Sequence, residues 1–290
     1  MEITCRTLQG RLLLRPSPRL NDLALGVLGR AQARYQLTIH AFVVLSNHLH
    51  LLVSPESPQQ LAAFMAFFSG NLAKEVGRLH EWHGTIWSRR YQAIVVSDEE
   101  SSQVERLLYL LRHGVKEHLV ADPRDWPGAS GLGALLDGSP IEGTWIDRTL
   151  EDRLRRRLGT FDPRACESRE SVHLSQLPCW RYLSPEQHRT RVADLIRIVD
   201  EEGQRLTEER GSPFGRERVL RQHPHERPMR TKRTPAPLVH AATKAVRQAL
   251  INAYRAFLSA YRHAADLLKC GDRLVRFPER AFPPPLPASG

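Results

Sequence analysis

The sequence predicts an α+β fold: an antiparallel sheet of the split βαβ (ferredoxin-like) kind with helices on one face, followed by a mostly α-helical, basic C-terminal extension. Three observations carry that prediction. Apolar segments of strand length and of helical period follow one another through the first half in the order β, α, β, β, α, β, α. The stretch Thr38 to Ser54, TIHAFVVLSNHLHLLVS, holds two apolar runs broken by Ser46-Asn47, the pattern of two strands joined by a tight turn. Charge then divides the chain: residues 1–150 carry 15 Lys+Arg and 15 Asp+Glu, whereas residues 151–290 carry 27 against 17, so the whole +10 excess lies in the second part.

Taken in order, Ile3 to Leu14 alternates loosely and reads as a strand that ends before Arg15-Pro16. Asn21 or Asp22 can cap a helix running to about Tyr35, with Leu23, Leu25, Val27 and Leu28 on its apolar side. Two strands follow, Ile39 to Leu45 and Leu49 to Val53, and Ser54-Pro55-Glu56-Ser57-Pro58 punctuates. Gln59 to Leu79 reads as a helix, because Leu61, Phe64, Met65, Phe68, Leu72 and Val76 recur at three- and four-residue steps. Trp82 to Trp87 is a loop and Gln92 to Val96 a short strand. Ser97-Asp98 signals an N-cap for a helix that reaches about His113 and stops at Gly114. Beyond it, Gly128 to Gly143 reads as weakly structured, Glu151 to Leu158 as a short basic helix and Ser184-Pro185 as the start of a longer one to about Leu206. Arg205 to Arg233 holds nine Lys+Arg against four acids with three prolines among them, which favours an extended basic strap. Pro237 to Leu268 reads as one long helix, and FPERAFPPPLPASG as a Pro-rich tail. The division expected is a catalytic domain over 1–150 and a basic, largely helical extension over 151–290.

Composition bounds the functional classes. A chain of 290 residues can bury a core without disulfide or metal staples. Its four cysteines, Cys5, Cys166, Cys179 and Cys270, show no Cys-x-x-Cys spacing, and MEITCRTLQGRLLL is too short in apolar length and too interrupted by arginine for a secretion signal. Reduced thiols in a cytoplasm are the expectation. No window approaches the roughly 20 apolar residues needed to cross a bilayer, so no membrane partner is expected. A neutral first half joined to a basic second half suits a chemical module with a polyanion-gripping extension, and nucleic acid is the favoured partner because phosphate neutralisation releases counterions.

The chemistry concentrates in two places. His48 and His50 alternate on one strand, so both point to one face with Cα atoms about 6.5 to 7 Å apart. Two imidazoles over that gap can share a metal ion, although a His-x-His pair on a half-buried strand face is by itself also an ordinary structural feature. Tyr109 and His113 are four apart on one helix and share a face. Together the four residues make a metal site of His48, His50 and His113 with a tyrosine beside it. A phenol of ordinary pKa near 10 is a weak nucleophile at neutral pH, and a divalent ion on a phosphodiester oxygen offsets part of that deficit. The product would be a phosphotyrosyl link to a nucleic-acid strand, reversible without ATP. Tyr91 is a rival nucleophile, but it begins a strand and has no imidazole at helical spacing. Arg89 and Arg90, Arg112 and Lys116, and the group Arg230, Lys232 and Arg233 are candidates for gripping phosphate. Trp87 is read as a core residue rather than a base-stacking platform. His80 and His83, three apart, do not suggest a second metal site.

These segments resemble a known family. Asn47-His48-Leu49-His50-Leu51-Leu52-Val53 is similar to the His-hydrophobic-His motif of the single-tyrosine HUH transposases, in particular the REP-associated tyrosine transposases. Trp87-Ser88-Arg89-Arg90-Tyr91 resembles their Trp-x-Arg-Arg-Tyr segment, and the run from Tyr109 to Val120, followed by Pro123 and Asp125-Trp126, resembles their nucleophile helix. The resemblance covers roughly residues 1–150. It implies a ferredoxin-like core, a Mg²⁺ or Mn²⁺ ion, a 5′-phosphotyrosine intermediate, single-stranded DNA with hairpins as substrate, and a homodimer. His113-Gly114 stands where the family often has Asn-Pro, and three nitrogen ligands suit Mn²⁺ or Zn²⁺ better than hard Mg²⁺. The alternative from another class is a catalytically silent or domesticated nucleic-acid-binding protein on the same core. A rolling-circle initiator or relaxase would share the chemistry, but no helicase phosphate loop occurs in the sequence.

Overall fold

The hairpin expected between Thr38 and Ser54 is present in the computed structural model, which describes residues 1–228 and 237–285. β1 (Glu2–Arg6) is followed by α1 (Pro18–Tyr35), β2 (Thr38–Leu45), β3 (His48–Ser54), α2 (Pro58–Leu79) and β4 (Gln92–Val96). The strands lie in the order β2-β3-β1-β4 and are antiparallel throughout, which is the split βαβ arrangement. A bulge at His40 interrupts the register between the Ile39 and Ala41 pairings. The extra residue sends Ile39, Phe42 and Val44 to one hydrophobic cluster and Ala41, Val43 and Leu45 to another on the opposite face. The first cluster holds Leu20, Ala24, Val27 and Leu28 of α1 and Phe64, Met65, Phe68, Leu72 and Val76 of α2, so both crossover helices cover one face.

Two boundaries near the start of the chain differ from those expected. β1 stops at Arg6 rather than near Leu14, where the chain turns through Leu8–Gly10. α1 starts at Pro18: Ser17 in extended conformation accepts from the Leu20 amide at 3.1 Å, and proline suits the first helical position because its missing N–H would be unpaired there. Asp22, an expected cap, instead accepts from the Thr144 amide and hydroxyl, each at 3.1 Å.

The second face of the sheet, where a site was expected, is itself largely covered. α3 (Glu100–Leu111) and the single turn α4 (His113–Lys116) lie on it. Then come α5 (Leu132–Asp137), β5 (Ile141–Ile146), α6 (Arg148–Leu158), β6 (Glu167–Val172) and α7 (Pro185–Arg210). The second cluster joins Leu107, Leu110, Leu111 and Val115 of α3 and α4 to Val192, Leu195, Ile196 and Val199 of α7. Residue 150 marks no break in packing. β5 and β6, on either side of it, pair from Ile141↔Val172 to Ile146↔Glu167, and Val172 belongs to the α1–α2 core. The stretch Gly128–Gly143 is therefore partly regular, and β6, ESRESV, was not foreseen because it has no apolar alternation. Gly26 and Gly143 let α1 and β5 meet at their backbones, since a Cβ on Gly26 would stand 2.1 Å from the Thr144 carbonyl carbon.

Past α8 (Arg216–Arg221), a two-residue strand β7 (Val239–His240) adds in parallel to β4. The long helix expected from Pro237 therefore begins only at Lys244, as α9 (Lys244–Lys269), capped by Thr243. Most of α9 is exposed; Ala264 and Leu268 are its buried residues. Among the described residues no helix is long and apolar enough to cross a membrane.

Candidate active site

Strand alternation and helix period meet on the covered face. His48, His50 and Leu52 share one side of β3, and β1 beside it presents Arg6 opposite His48, Thr4 opposite His50 and Glu2 opposite Leu52. α3 buries Leu107, Leu110 and Leu111 on the same face, which turns Tyr109 toward the histidines. The helix ends at Leu111, Arg112 relaxes to ψ 0, and His113 opens α4. His113 nonetheless stays under Tyr109, with ring centroids 5.0 Å apart, and Tyr109 lies 5.5 Å from His50.

The three imidazoles form one cluster. Their centroids are 5.0 Å (His48–His50), 4.8 Å (His48–His113) and 4.7 Å (His50–His113) apart. One nitrogen from each lies within 4.8 Å of the others, and among the described residues this is the one group of three or more ligand-type side chains so placed. His48 Nδ1 is 2.6 Å from Asn47 Oδ1, and His50 Nδ1 is 2.9 Å from Glu2 Oε1 and 3.1 Å from Thr4 Oγ1. Acceptors on Nδ1 select the tautomer with its proton there and leave a lone pair on Nε2. His48 Nε2 faces His113 Nε2 at 2.8 Å, while the buried His50 Nε2 has no protein partner. Three buried imidazoles, with His50 Nε2 and His113 Nδ1 unpartnered, fit a divalent ion of borderline softness, and a cluster of nitrogens alone makes Mg²⁺ the poorer match.

Electrostatics keep His48 and His113 neutral and the phenol protonated. Burial, then the charges of His50 and His113, hold His48 well below its ordinary value. Burial and neighbouring cationic groups lower His113 to about 2. Tyr109, half-buried, is raised by burial and by Glu2, against the opposing pull of Arg106 and Arg112. Glu2 is pushed up by burial but brought below its ordinary value by the hydrogen bond and charge of His50 and by Arg106.

Three cations surround the tyrosine ring: Arg106 at 4.8 Å, Lys116 at 5.1 Å and Arg112 at 6.0 Å from its centroid. Arg106 also donates to Glu2 at 3.3 Å, and Arg112 pairs with Glu202 at 4.0 Å. Glu2, Thr4, Asn47 and Arg106 escaped the sequence reading. Arg106 had a signal, being three residues before Tyr109 on one helix; Glu2 had none, because its role depends on a hydrogen bond to His50 across 48 residues of chain. Arg89 and Arg90, foreseen as phosphate ligands, are exposed on a separate cleft beside Tyr91, and Arg90 stacks on that ring at 5.1 Å. Tyr91 thus has an arginine rather than a histidine against it. Arg230, Lys232 and Arg233 lie outside the described residues.

Residues 19–109 match the family model described as "Transposase IS200 like", a segment that holds His48, His50 and Tyr109 and ends before His113. No curated protein matches the chain. Among solved structures, one titled "Structure of the REP associates tyrosine transposase bound to a REP hairpin" aligns at 17% identity with a TM-score of 0.40, covering 47% of this chain and 78% of that one. Over the segment from α1 to Tyr109, the chain is thus similar to the IS200-like transposases.

Proposed function

We propose that this protein is a metal-dependent transposase of the REP-associated tyrosine type. It nicks and rejoins hairpin-bearing single-stranded DNA through Tyr109. The observation that carries the reading is the placing of Tyr109 against His50 and His113 of its own chain, with His48 completing a buried three-nitrogen cluster. His48, His50 and His113 would hold a divalent cation, which supplies Lewis-acid polarisation of a phosphodiester. The remaining work falls to the chain. Tyr109 Oη attacks phosphorus, the bond to the 3′-oxygen breaks, and the freed 3′-hydroxyl finally carries the phenol proton. The 5′-phosphate stays on Tyr109 until a second 3′-hydroxyl attacks and regenerates the phenol. Because one phosphodiester is exchanged for another, no nucleotide cofactor is consumed. Arg106 and Arg112 are each engaged by a carboxylate, whereas Lys116 has no ion pair among the described residues and would grip the scissile phosphate.

The functional division follows from this: residues 1–150 would contain the reacting groups, and the basic remainder would hold the polyanion. A homodimer would bring together two such sites, each complete in one protomer. The test is to incubate the protein and Mn²⁺ with hairpin-bearing single-stranded DNA and resolve products under denaturing conditions. Wild type is expected to form a covalent adduct and Tyr109→Phe none, while Tyr109→Phe still binds DNA. No adduct on any such DNA, or an adduct surviving in Tyr109→Phe, overturns the assignment. Salt-sensitive binding without cleavage under any metal would instead support the silent DNA-binding alternative.

A further inference from the structure

On the face of the sheet away from the histidines, α2 and the segment Glu81–Tyr91 enclose a cavity of about 1240 Å³. Its outer wall is aromatic: Trp82, Trp87 and Tyr91 are each only half-buried. Trp87 Nε1 donates to the Ser69 carbonyl at 2.9 Å and Trp82 Nε1 to that of Thr85 at 3.2 Å. The polar edges of both indoles are thus satisfied, leaving apolar ring surface for the cleft. Four cations line it, Lys74, Arg78, Arg89 and Arg90, all exposed, against one acid, Glu81. An aliphatic ligand would use the apolar wall and leave the cations idle, and a bare anion would do the reverse. A flat aromatic ring carrying an adjacent phosphate uses both, which is the chemistry of a nucleotide in a single strand.

The cleft also adjoins the candidate active site. The Ser88 amide donates to the Arg6 carbonyl at 2.9 Å, Thr7 bridges to Trp87, and Arg6 is the β1 residue paired with His48. Two strand spacings, roughly 10 Å, therefore separate the cleft wall from the strand that carries the histidines. A nucleic-acid strand leaving Tyr109 can reach the cleft around the end of β1.

We infer that this cleft holds an unpaired nucleobase flanking the scissile position, stacked on the aromatic wall with its phosphate among Arg89, Arg90 and Lys74. The inference rests on the DNA-processing reading above. Its test uses full-length Tyr109→Phe protein, in which strands stay uncut, and fluorescent hairpin oligonucleotides whose single-stranded flanks carry one abasic residue at successive positions. Anisotropy at fixed salt is expected to show one flank position where base loss weakens binding roughly tenfold. In Tyr109→Phe/Tyr91→Ala and in Tyr109→Phe/Ala66→Glu, which puts a carboxylate on an exposed α2 position lining the cleft, binding to intact DNA should weaken similarly and the abasic penalty at that position should vanish. Circular dichroism is the control for folding of both variants. If no position shows a penalty, or if the penalty persists in both variants, the cleft does not bind a base. The outcomes separate from the cleavage reading: adduct formation by wild type with cleft-indifferent binding removes only this inference, whereas cleft-dependent binding with no adduct removes only the nicking mechanism.

Discussion

The Glu2 carboxylate, 2% exposed, accepts from His50 Nδ1 at 2.9 Å with one oxygen and from Arg106 at 3.3 Å with the other. A carboxylate behind an imidazole fixes its tautomer and leaves the far nitrogen, here the orphaned His50 Nε2, as the lone-pair donor. Glu2→Gln keeps the shape and removes the charge. It is expected to lower Mn²⁺ affinity by about 10-fold or more, read by calorimetric titration of the metal-free protein. Unchanged affinity would mean that Glu2 serves only to balance Arg106. Of this residue-level chemistry, the His-x-His step and the Tyr109–His113 step were legible because strand and helix periods are local. The role of Asn47 was not legible, because it rests on a side-chain contact with the neighbouring imidazole that local periods do not specify.

At the scale of elements, α7 decides where the tyrosine helix sits. Its buried residues Val192, Leu195, Ile196, Val199, Gly203 and Leu206 recur at three- and four-residue steps and pack on α3, α4 and the turn after them. Ser184 and Gln187 close a capping box at its start. At Gly203 the approach is tightest, since a Cβ would stand 1.9 Å from the Ala121 carbonyl oxygen, a backbone atom that cannot swing away. Gly203→Ala should therefore cost about 1 to 3 kcal/mol of stability, as a shift in urea midpoint, despite adding a good helix former. A stabilising effect would show that α7 is free to slide. The helix itself was legible from Ser184-Pro185 and its apolar period. Its partner was not, because a hydrophobic stripe states that a face is buried and leaves open against what.

At the scale of the whole molecule, the charge asymmetry and the packing do not share a boundary. The basic excess begins after residue 150, yet Val172 completes the α1–α2 core and Trp180 and Val192 complete the α3 side. A protein truncated after residue 150 is thus expected to lose its fixed tertiary structure, seen as loss of near-ultraviolet circular dichroism. A well-folded fragment would contradict the shared core. The contribution of charge is better probed by substitution. Replacing Arg230, Lys232 and Arg233 with alanine should reduce the slope of log affinity against log salt by up to about 2 on single-stranded DNA, if all three meet phosphates. An identical slope would mean that those charges touch none.

By itself the sequence determined the strand and helix order of the first half, the turn at Ser46-Asn47, and which side chains could share a face: His48 with His50, and Tyr109 with His113. These follow from periods of two and of about 3.6 residues, which need no knowledge of the rest of the chain. Only tertiary structure decided that the two faces meet, that Glu2 and Arg106 stand behind the cluster, that β6 exists, and that Arg89 and Arg90 belong to a different cleft. Each of those depends on strand pairing or helix docking between distant segments, where the stabilising contact is made by surfaces that local patterning leaves unassigned.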